Sequence, residues 1–243
     1  MHAWQYRSAA DLLVPPAQRA TCLRRESGLV ASACHQLWWF CVRVYLRVFH
    51  RVRVEGIENL PRRLPFVMVA NHTSHLDTLV LAAFLPARLR DRIFPVAAGD
   101  TFFESRALTT FASLCLNALP LWRKRTCNKQ LAELRTRLLS EPCGYILFPE
   151  GTRTRDGKLV EFKAGIGMLV AGTSVPVIPC RIEGAFEAMP ARARIPRPRR
   201  ITLRVGEALR FDDVADDRGG WAEVARALHA CVAAAGDASI VPT

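Results

Sequence analysis

Phe66-Val67-Met68-Val69-Ala70-Asn71-His72-Thr73-Ser74-His75-Leu76-Asp77 is the stretch from which the architecture follows. Five apolar residues read as a strand, the polar residues after them as a turn, and Asp77 with Leu79-Val80-Leu81 as the opening of a helix. The same texture recurs downstream. Strands are expected at Val52-Val54, Phe66-Ala70, Ile93-Ala97, Leu119-Trp122, Tyr145-Phe148, Val175-Arg181 and Ile201-Val205, and helices at about 77–87, 105–116, 127–140, 164–172 and 221–234. Short apolar strands alternating with helices predict an α/β fold, a single layered domain with a largely parallel central sheet flanked by helices. In such sheets, functional groups gather where strand ends give way to helices.

A second segment follows another apolar run: Gly144-Tyr145-Ile146-Leu147-Phe148 leads into Pro149-Glu150-Gly151-Thr152-Arg153. The two motifs therefore fall just after predicted strands and can share one rim. Histidine suits general-base work because its ordinary pKa lies near neutrality. A carboxylate on its other nitrogen aims the ring and stabilises the cation that forms. His72 and Asp77 fit these roles. On a regular helix, residues five apart point about 140° apart. They can meet only if His72 sits in the turn and Asp77 in the first turn of the helix. A plainer reading competes, since Ser74-x-x-Asp77 is also a helix-capping signature. His75 fits a hydrogen-bonded surface group near a helix start. There is no Gly-x-Ser-x-Gly elbow, so direct attack by an acceptor hydroxyl is simpler than an acyl-enzyme. Backbone amides near Gly151 or at the helix start are the candidate oxyanion donors.

Asn71-His72-x-Ser74-x-x-Asp77 followed by Phe148-Pro149-Glu150-Gly151-Thr152-Arg153 closely resembles the paired motifs of the glycerolipid acyltransferases, over roughly residues 50–210. Asn117-Ala118-Leu119-Pro120-Leu121-Trp122-Arg123 is similar to the family's intervening arginine segment, although Trp122 stands where many members carry an acid. Val175-Pro176-Val177-Ile178-Pro179 matches its apolar strand ending in proline, and Phe162-Lys163-Ala164-Gly165 the stretch after the Glu-Gly-Thr-Arg block. The resemblance implies an O-acyltransferase that moves a fatty acyl group from acyl-CoA or acyl-carrier protein to lysophosphatidic acid, giving phosphatidic acid. A lyso-ornithine lipid or another lysophospholipid is the alternative acceptor. It implies His72 and Asp77 as catalytic residues, with Asn71 and Ser74 as motif support. Arg153, Arg123, Glu150, Gly151, Thr152 and Lys163 fall on the substrate side. Guanidinium groups bind phosphate bidentately, so Arg153 and then Arg123 are the phosphate ligands. Glu150 either positions Arg153 or binds acceptor hydroxyls. Gly151 relieves the turn. No cofactor and no metal are expected. A metal-dependent hydrolase on His72, His75 and Asp77 is a rival reading, and a noncatalytic membrane adaptor a third.

Composition allows one sizeable domain: 243 residues, half of them apolar. The formal charge of +12 suits an anionic surface. The cations are mostly arginines among apolar residues with no nucleic-acid-binding pattern, so a membrane is expected and nucleic acid is not. Eight cysteines show no paired spacing and read as reduced thiols in a reducing compartment. No secretory signal is visible in the first 25 residues. A catalytic domain facing the cytoplasm follows. Residues 1–28 read as a poorly structured lead, 29–50 as an amphipathic membrane-associated helix, 51–236 as the catalytic domain and 237–243 as a tail. In the helix, Arg43 and Arg47 are expected to reach lipid headgroups while Trp38, Phe40 and Val44 bury apolar surface. A helix packed on the domain's own core is the plainer alternative. Residues 189–200, rich in proline and arginine, read as an exposed loop.

Overall fold

The computed structural model describes residues 29–98, 111–112, 115–121 and 127–237. Arg123, Lys124 and Arg125, and most of the helix expected at 105–116, lie outside the described residues, as do the lead and nearly all of the tail.

The chain opens with helix α1 (Leu29–Phe49) and alternates thereafter: β1 (Arg53–Glu55), β2 (Phe66–Ala70), α2 (Asp77–Ala83), α3 (Ala87–Arg90), β3 (Ile93–Ala98), β4 (Leu119–Leu121), α4 (Cys127–Ser140) and β5 (Gly144–Leu147). It continues through α5 (Gly165–Val170), β6 (Thr173–Glu183), α6 (Ala185–Ala188), β7 (Thr202–Val205), β8 (Leu209–Phe211) and α7 (Arg218–Asp237). The strands form one sheet in the order β1-β7-β6-β2-β5-β3-β4, with β8 also paired to β6. The core of the sheet is parallel, whereas β7 and β8 run antiparallel to β6. The mostly parallel, helix-flanked sheet agrees with the sequence reading. The β8 strand and the short helices α3 and α6 were not expected from it.

Alternate residues of β2 enter two separate cores, as the period of a strand requires. Phe66, Met68 and Ala70 face Trp39, Val42 and Leu46 of α1 with Val80 and Leu81 of α2. Val67 and Val69 face Leu131, Leu134 and Leu138 of α4, Ile166 and Leu169 of α5, and Val224 and Leu228 of α7. Because β2 and β5 are parallel neighbours with Val69 opposite Leu147, the chain leaves both strands at the same edge. The His72 turn and the Glu150 loop are thereby brought together from opposite ends of the intervening chain. The C-terminal ends of β3 and β4, also parallel, reach the same edge.

Helix α1 corrects one expectation. Trp39, Val42 and Leu46 are buried against the domain, while Leu37, Phe40, Val44 and Val48 are exposed. The helix is thus apolar on two opposite faces, and the packed-on-core alternative holds for one of them. Arg43 does not reach outward. Its Nε donates to the carbonyl of Ala83 at 2.8 Å and its Nη2 to that of Leu85 at 3.5 Å. Those carbonyls lie at the C-terminal end of α2, where the helix supplies no amide to pair them. Arg47 lies over the Phe84 ring at 5.7 Å. Arg43 thus clamps α1 to the end of α2, while Arg47 stays exposed with the Phe84 ring beside it.

Candidate active site

Asn71 is the first residue past β2, and its side chain continues the sheet. Its Nδ2 donates to the Ile182 carbonyl at 2.9 Å and its Oδ1 accepts from the Ile182 amide at 2.8 Å. The side-chain amide thus substitutes for the next peptide of the β2–β6 ladder and frees the main chain to turn. Ser74 secures the turn from the other side: its hydroxyl donates to the Met189 carbonyl at 2.7 Å and accepts from the Leu76 amide at 3.1 Å.

Asp77 begins α2, and one oxygen, Oδ2, accepts three hydrogen bonds. They come from Nδ1 of His72 at 2.9 Å, the amide of Thr73 at 2.7 Å and that of Ser74 at 2.8 Å. The N-cap position is Leu76 and carries no side-chain cap bond, so the Asp77 oxygen pins the turn ahead of the helix and orients the base at once. A carboxylate oxygen only accepts, so Nδ1 carries the proton and Nε2 keeps a lone pair for proton abstraction.

The loop after β5 encloses the same histidine. Phe148 stacks on its ring at 4.1 Å between centroids. Oε1 of Glu150 accepts from the His72 amide at 2.9 Å, and the Thr154 amide donates to the His72 carbonyl at 2.9 Å. Gly151 turns the loop at φ 78°, a conformation that favours glycine. Lys163 lays its side chain over this glycine.

A cavity of about 420 Å³ opens beside the pair. Its polar end is formed by His72, Ser74, His75, Thr152, Arg153, Arg155 and Arg192; its apolar wall includes Val96, Ala97, Leu116, Ala118, Leu121 and Phe148. The Arg153 guanidinium lies against the His75 ring nitrogens. Burial and that neighbouring cation hold His75 below the usual imidazole range.

Several expected site residues thus meet around one cavity: His72, Ser74, Gly151, Thr152 and Arg153 line it, with Asp77 behind His72. Glu150 and Lys163 do not face it. Three amides near the turn are already engaged: those of Thr73 and Ser74 by Asp77, and that of Gly151 by the Phe148 carbonyl at 3.0 Å. Arg155, Arg192 and the apolar wall were missed. Arg192 belongs to the loop read from sequence as merely exposed, and Ser74 pins that loop through Met189.

Burial of the Glu150 carboxyl, 3% exposed, pushes it up to about 7 from the ordinary 4.5. The Asp77 carboxylate adds to the rise, while the His72 amide, Arg181 and the Val160 backbone oppose it. The folded protein therefore binds this proton more tightly than the unfolded chain. Stability is full below about pH 4.5, falls as pH rises to about 7, and stays lower above. Glu150→Gln should accordingly be more stable than the wild type at pH 8 by about 3 kcal/mol, and no more stable at pH 4.5. Melting curves should show the gain as about 5–10 °C at the higher pH only. An equal difference at both pH values would contradict a buried, proton-binding Glu150.

Comparison with known proteins supplies independent findings. A protein-family model described as Acyltransferase matches residues 51–183. The mouse 1-acyl-sn-glycerol-3-phosphate acyltransferase alpha is 34% identical over 131 residues, 53% of this chain and 44% of that protein. The human 1-acyl-sn-glycerol-3-phosphate acyltransferase beta is 32% identical over 173 residues, 65% of this chain and 55% of that protein. The chain spans about half the length of the curated relatives it matches. Among solved structures, the 1-acyl-sn-glycerophosphate acyltransferase PlsC of Thermotoga maritima shares the fold, with a TM-score of 0.65 and 22% identity. That match covers 88% of this chain and 81% of the other.

Proposed function

The chain belongs to the acyltransferase family, and from that premise we propose that it transfers a fatty acyl group from a thioester donor to the free hydroxyl of lysophosphatidic acid. The observation that carries this reading is the His72–Asp77 pair at a cavity lined by both cationic and apolar side chains. An amphiphilic substrate needs both. The acceptor oxygen attacks the thioester carbonyl carbon while Nε2 of His72 takes the hydroxyl proton. The tetrahedral intermediate then collapses, the carbon–sulfur bond breaks, and the imidazolium returns its proton to the departing thiolate. Asp77 stabilises the transient cation. This sequence needs no Lewis acid, and no metal or cofactor is invoked. Acyl-CoA and acyl-carrier protein are the two donors to compare. The decisive experiment incubates purified protein with a panel of lysolipids and each donor and identifies products by mass. Phosphatidic acid from lysophosphatidate is the expected product; absence of any acylated lysolipid would remove the reading.

Arg153 is the phosphate ligand in this reading, supported by its place on the cavity beside His72. Burial lowers its pKa and the Asp77 carboxylate opposes the fall; a guanidinium is not deprotonated in proteins, so Arg153 is the cation offered to the phosphate. Arg153→Ala should raise the acceptor KM and lower kcat/KM by about ten- to a hundredfold. Arg123 is the second phosphate ligand proposed, and Arg123→Ala should show a milder version. An unchanged acceptor dependence in the Arg153 variant would move the phosphate elsewhere.

The acceptor resides in a lipid layer, and α1 offers a surface for reaching it. Among the described residues no helix is long and apolar enough to cross a membrane. Leu37, Phe40, Val44 and Val48 nevertheless form one exposed apolar stripe, with Phe40 at 64% and Val48 at 74% exposure. A helix with such a face lies in the interface plane. Phe40→Glu combined with Val48→Glu should cut vesicle binding at least about tenfold in flotation, since each side chain contributes about 1.5–3 kcal/mol on burial. Undiminished flotation would place the contact on another surface.

A further inference from the structure

We infer that Glu150 is a positioning residue for His72, holding the base through its main-chain amide, and not a ligand of the acceptor. The inference rests on the reading of His72 as the base. His72 is fixed at four points: its amide by Glu150, its carbonyl by the Thr154 amide, its Nδ1 by Asp77 and its ring face by Phe148. Three of the four come from the single loop Phe148–Thr154. That loop therefore does two jobs on its two sides. Gly151, Thr152 and Arg153 line the cavity, whereas Glu150 does not line it and meets the His72 amide instead.

The surroundings of Glu150 fit a structural acceptor better than a substrate ligand. It is 3% exposed and is not among the residues that line the cavity. Its Oε1 is committed to the His72 amide, and its Oε2 is buried without a hydrogen-bond partner. Arg181 on β6 supplies the attractive charge nearby and Asp77 the repulsive one. A buried carboxyl is costly to desolvate, so keeping one here needs compensating contacts: the His72 amide is the first of them, with the Val160 backbone and the Arg181 charge beside it. The amide belongs to the first residue after Asn71, where the chain leaves the sheet ladder and has no strand partner of its own. Without Glu150, that donor is buried and unpaired at the hinge of the catalytic turn. The peptide can then rotate, and His72 moves relative to both the acceptor oxygen and Asp77.

The role predicts a separation of kinetic constants. Removing the acceptor oxygen should misplace the base without touching the phosphate or hydroxyl contacts. Displacements of about 1 Å cost about a hundredfold in rate. Glu150→Ala should lower kcat by about a hundredfold and leave the acceptor KM within about twofold. Glu150→Gln keeps an oxygen in the Oε1 position and should recover kcat to within about fivefold of wild type. Both variants are assayed beside His72→Ala with lysophosphatidate varied at saturating donor, and their folding is followed by thermal melts. A main effect on acceptor KM, or a Gln variant as impaired as the Ala variant, would overturn the positioning role. So would wild-type turnover by Glu150→Ala. Should Glu150→Ala fail to fold, the Gln variant still decides, because a ligand acting through its charge would lose acceptor affinity there. Persisting activity of His72→Ala would instead defeat the reading of His72 as the base. An inactive His72→Ala with the wrong Glu150 signature defeats the positioning role alone.

Discussion

His72→Ala is expected to lower kcat by about 10²–10⁴-fold while leaving the acceptor KM nearly unchanged, because the proton-accepting group is lost and the binding groups remain. The fold should survive. The His72 side chain is 21% exposed, and the buried anchors of the turn are the side chains of Asn71, Ser74 and Asp77. The main-chain bonds to Glu150 and Thr154 do not depend on the imidazole. What remains is a cavity that still holds Arg153 and the apolar wall, and therefore still binds. The measurement is steady-state turnover of purified protein on lysophosphatidate, paired with a thermal melt. Turnover within about tenfold of wild type would mean that the proton leaves by another route.

The parts of this site that were legible in sequence are those in which one local pattern settles both structure and chemistry. The run Phe66–Ala70 ends at a polar turn, and the turn is where His72 stands. The apolar run before Pro149 does the same for the second motif. Parallel pairing of β2 with β5 then brings the two together, a consequence of topology that alternation of elements implies. Helix α4 was legible to its ends because its apolar period meets no competing signal. Strand β8 was not, being three residues whose only reason to be extended is the start of β6 beside it.

Charged side chains were read least well, because their partners are distant in sequence. Arg43 and Arg47 sit among apolar residues and look free to snorkel; only the fold shows the Ala83 and Leu85 carbonyls that hold Arg43 and the Phe84 ring beside Arg47. Glu150 lies three residues from Arg153, so sequence proximity suggested a pair. The carboxyl instead meets an amide 78 residues away. Arg192 carries no motif at all and reaches the cavity because Ser74 binds the Met189 carbonyl. Trp39, one residue from the Phe40 of the exposed face, is 1% exposed and is part of the core beneath α1.

Asp77→Asn should lower kcat by about 10²–10⁴-fold, and its cause is separable from that of His72→Ala. The side chain is fully buried, and its Oδ2 meets three donors. An asparagine can keep those bonds only by placing its carbonyl oxygen where Oδ2 stands. Its NH2 then falls where Oδ1 lies buried without a partner, at a cost of about 1–3 kcal/mol. The turn and the imidazole tautomer are preserved in that arrangement, but the negative charge is gone. An imidazolium forming at His72 then has no counterion, so the loss appears in kcat and not in acceptor KM. Asp77→Ala removes the bonds that pin the turn as well, so it should be similarly inactive but markedly less stable, with unpaired amides at Thr73 and Ser74. Comparing the two variants by turnover and thermal melt separates the charge from the turn. If Asp77→Asn turned over within about tenfold of wild type while Asp77→Ala merely melted earlier, Asp77 would hold the turn alone and His72 would work without an orienting charge.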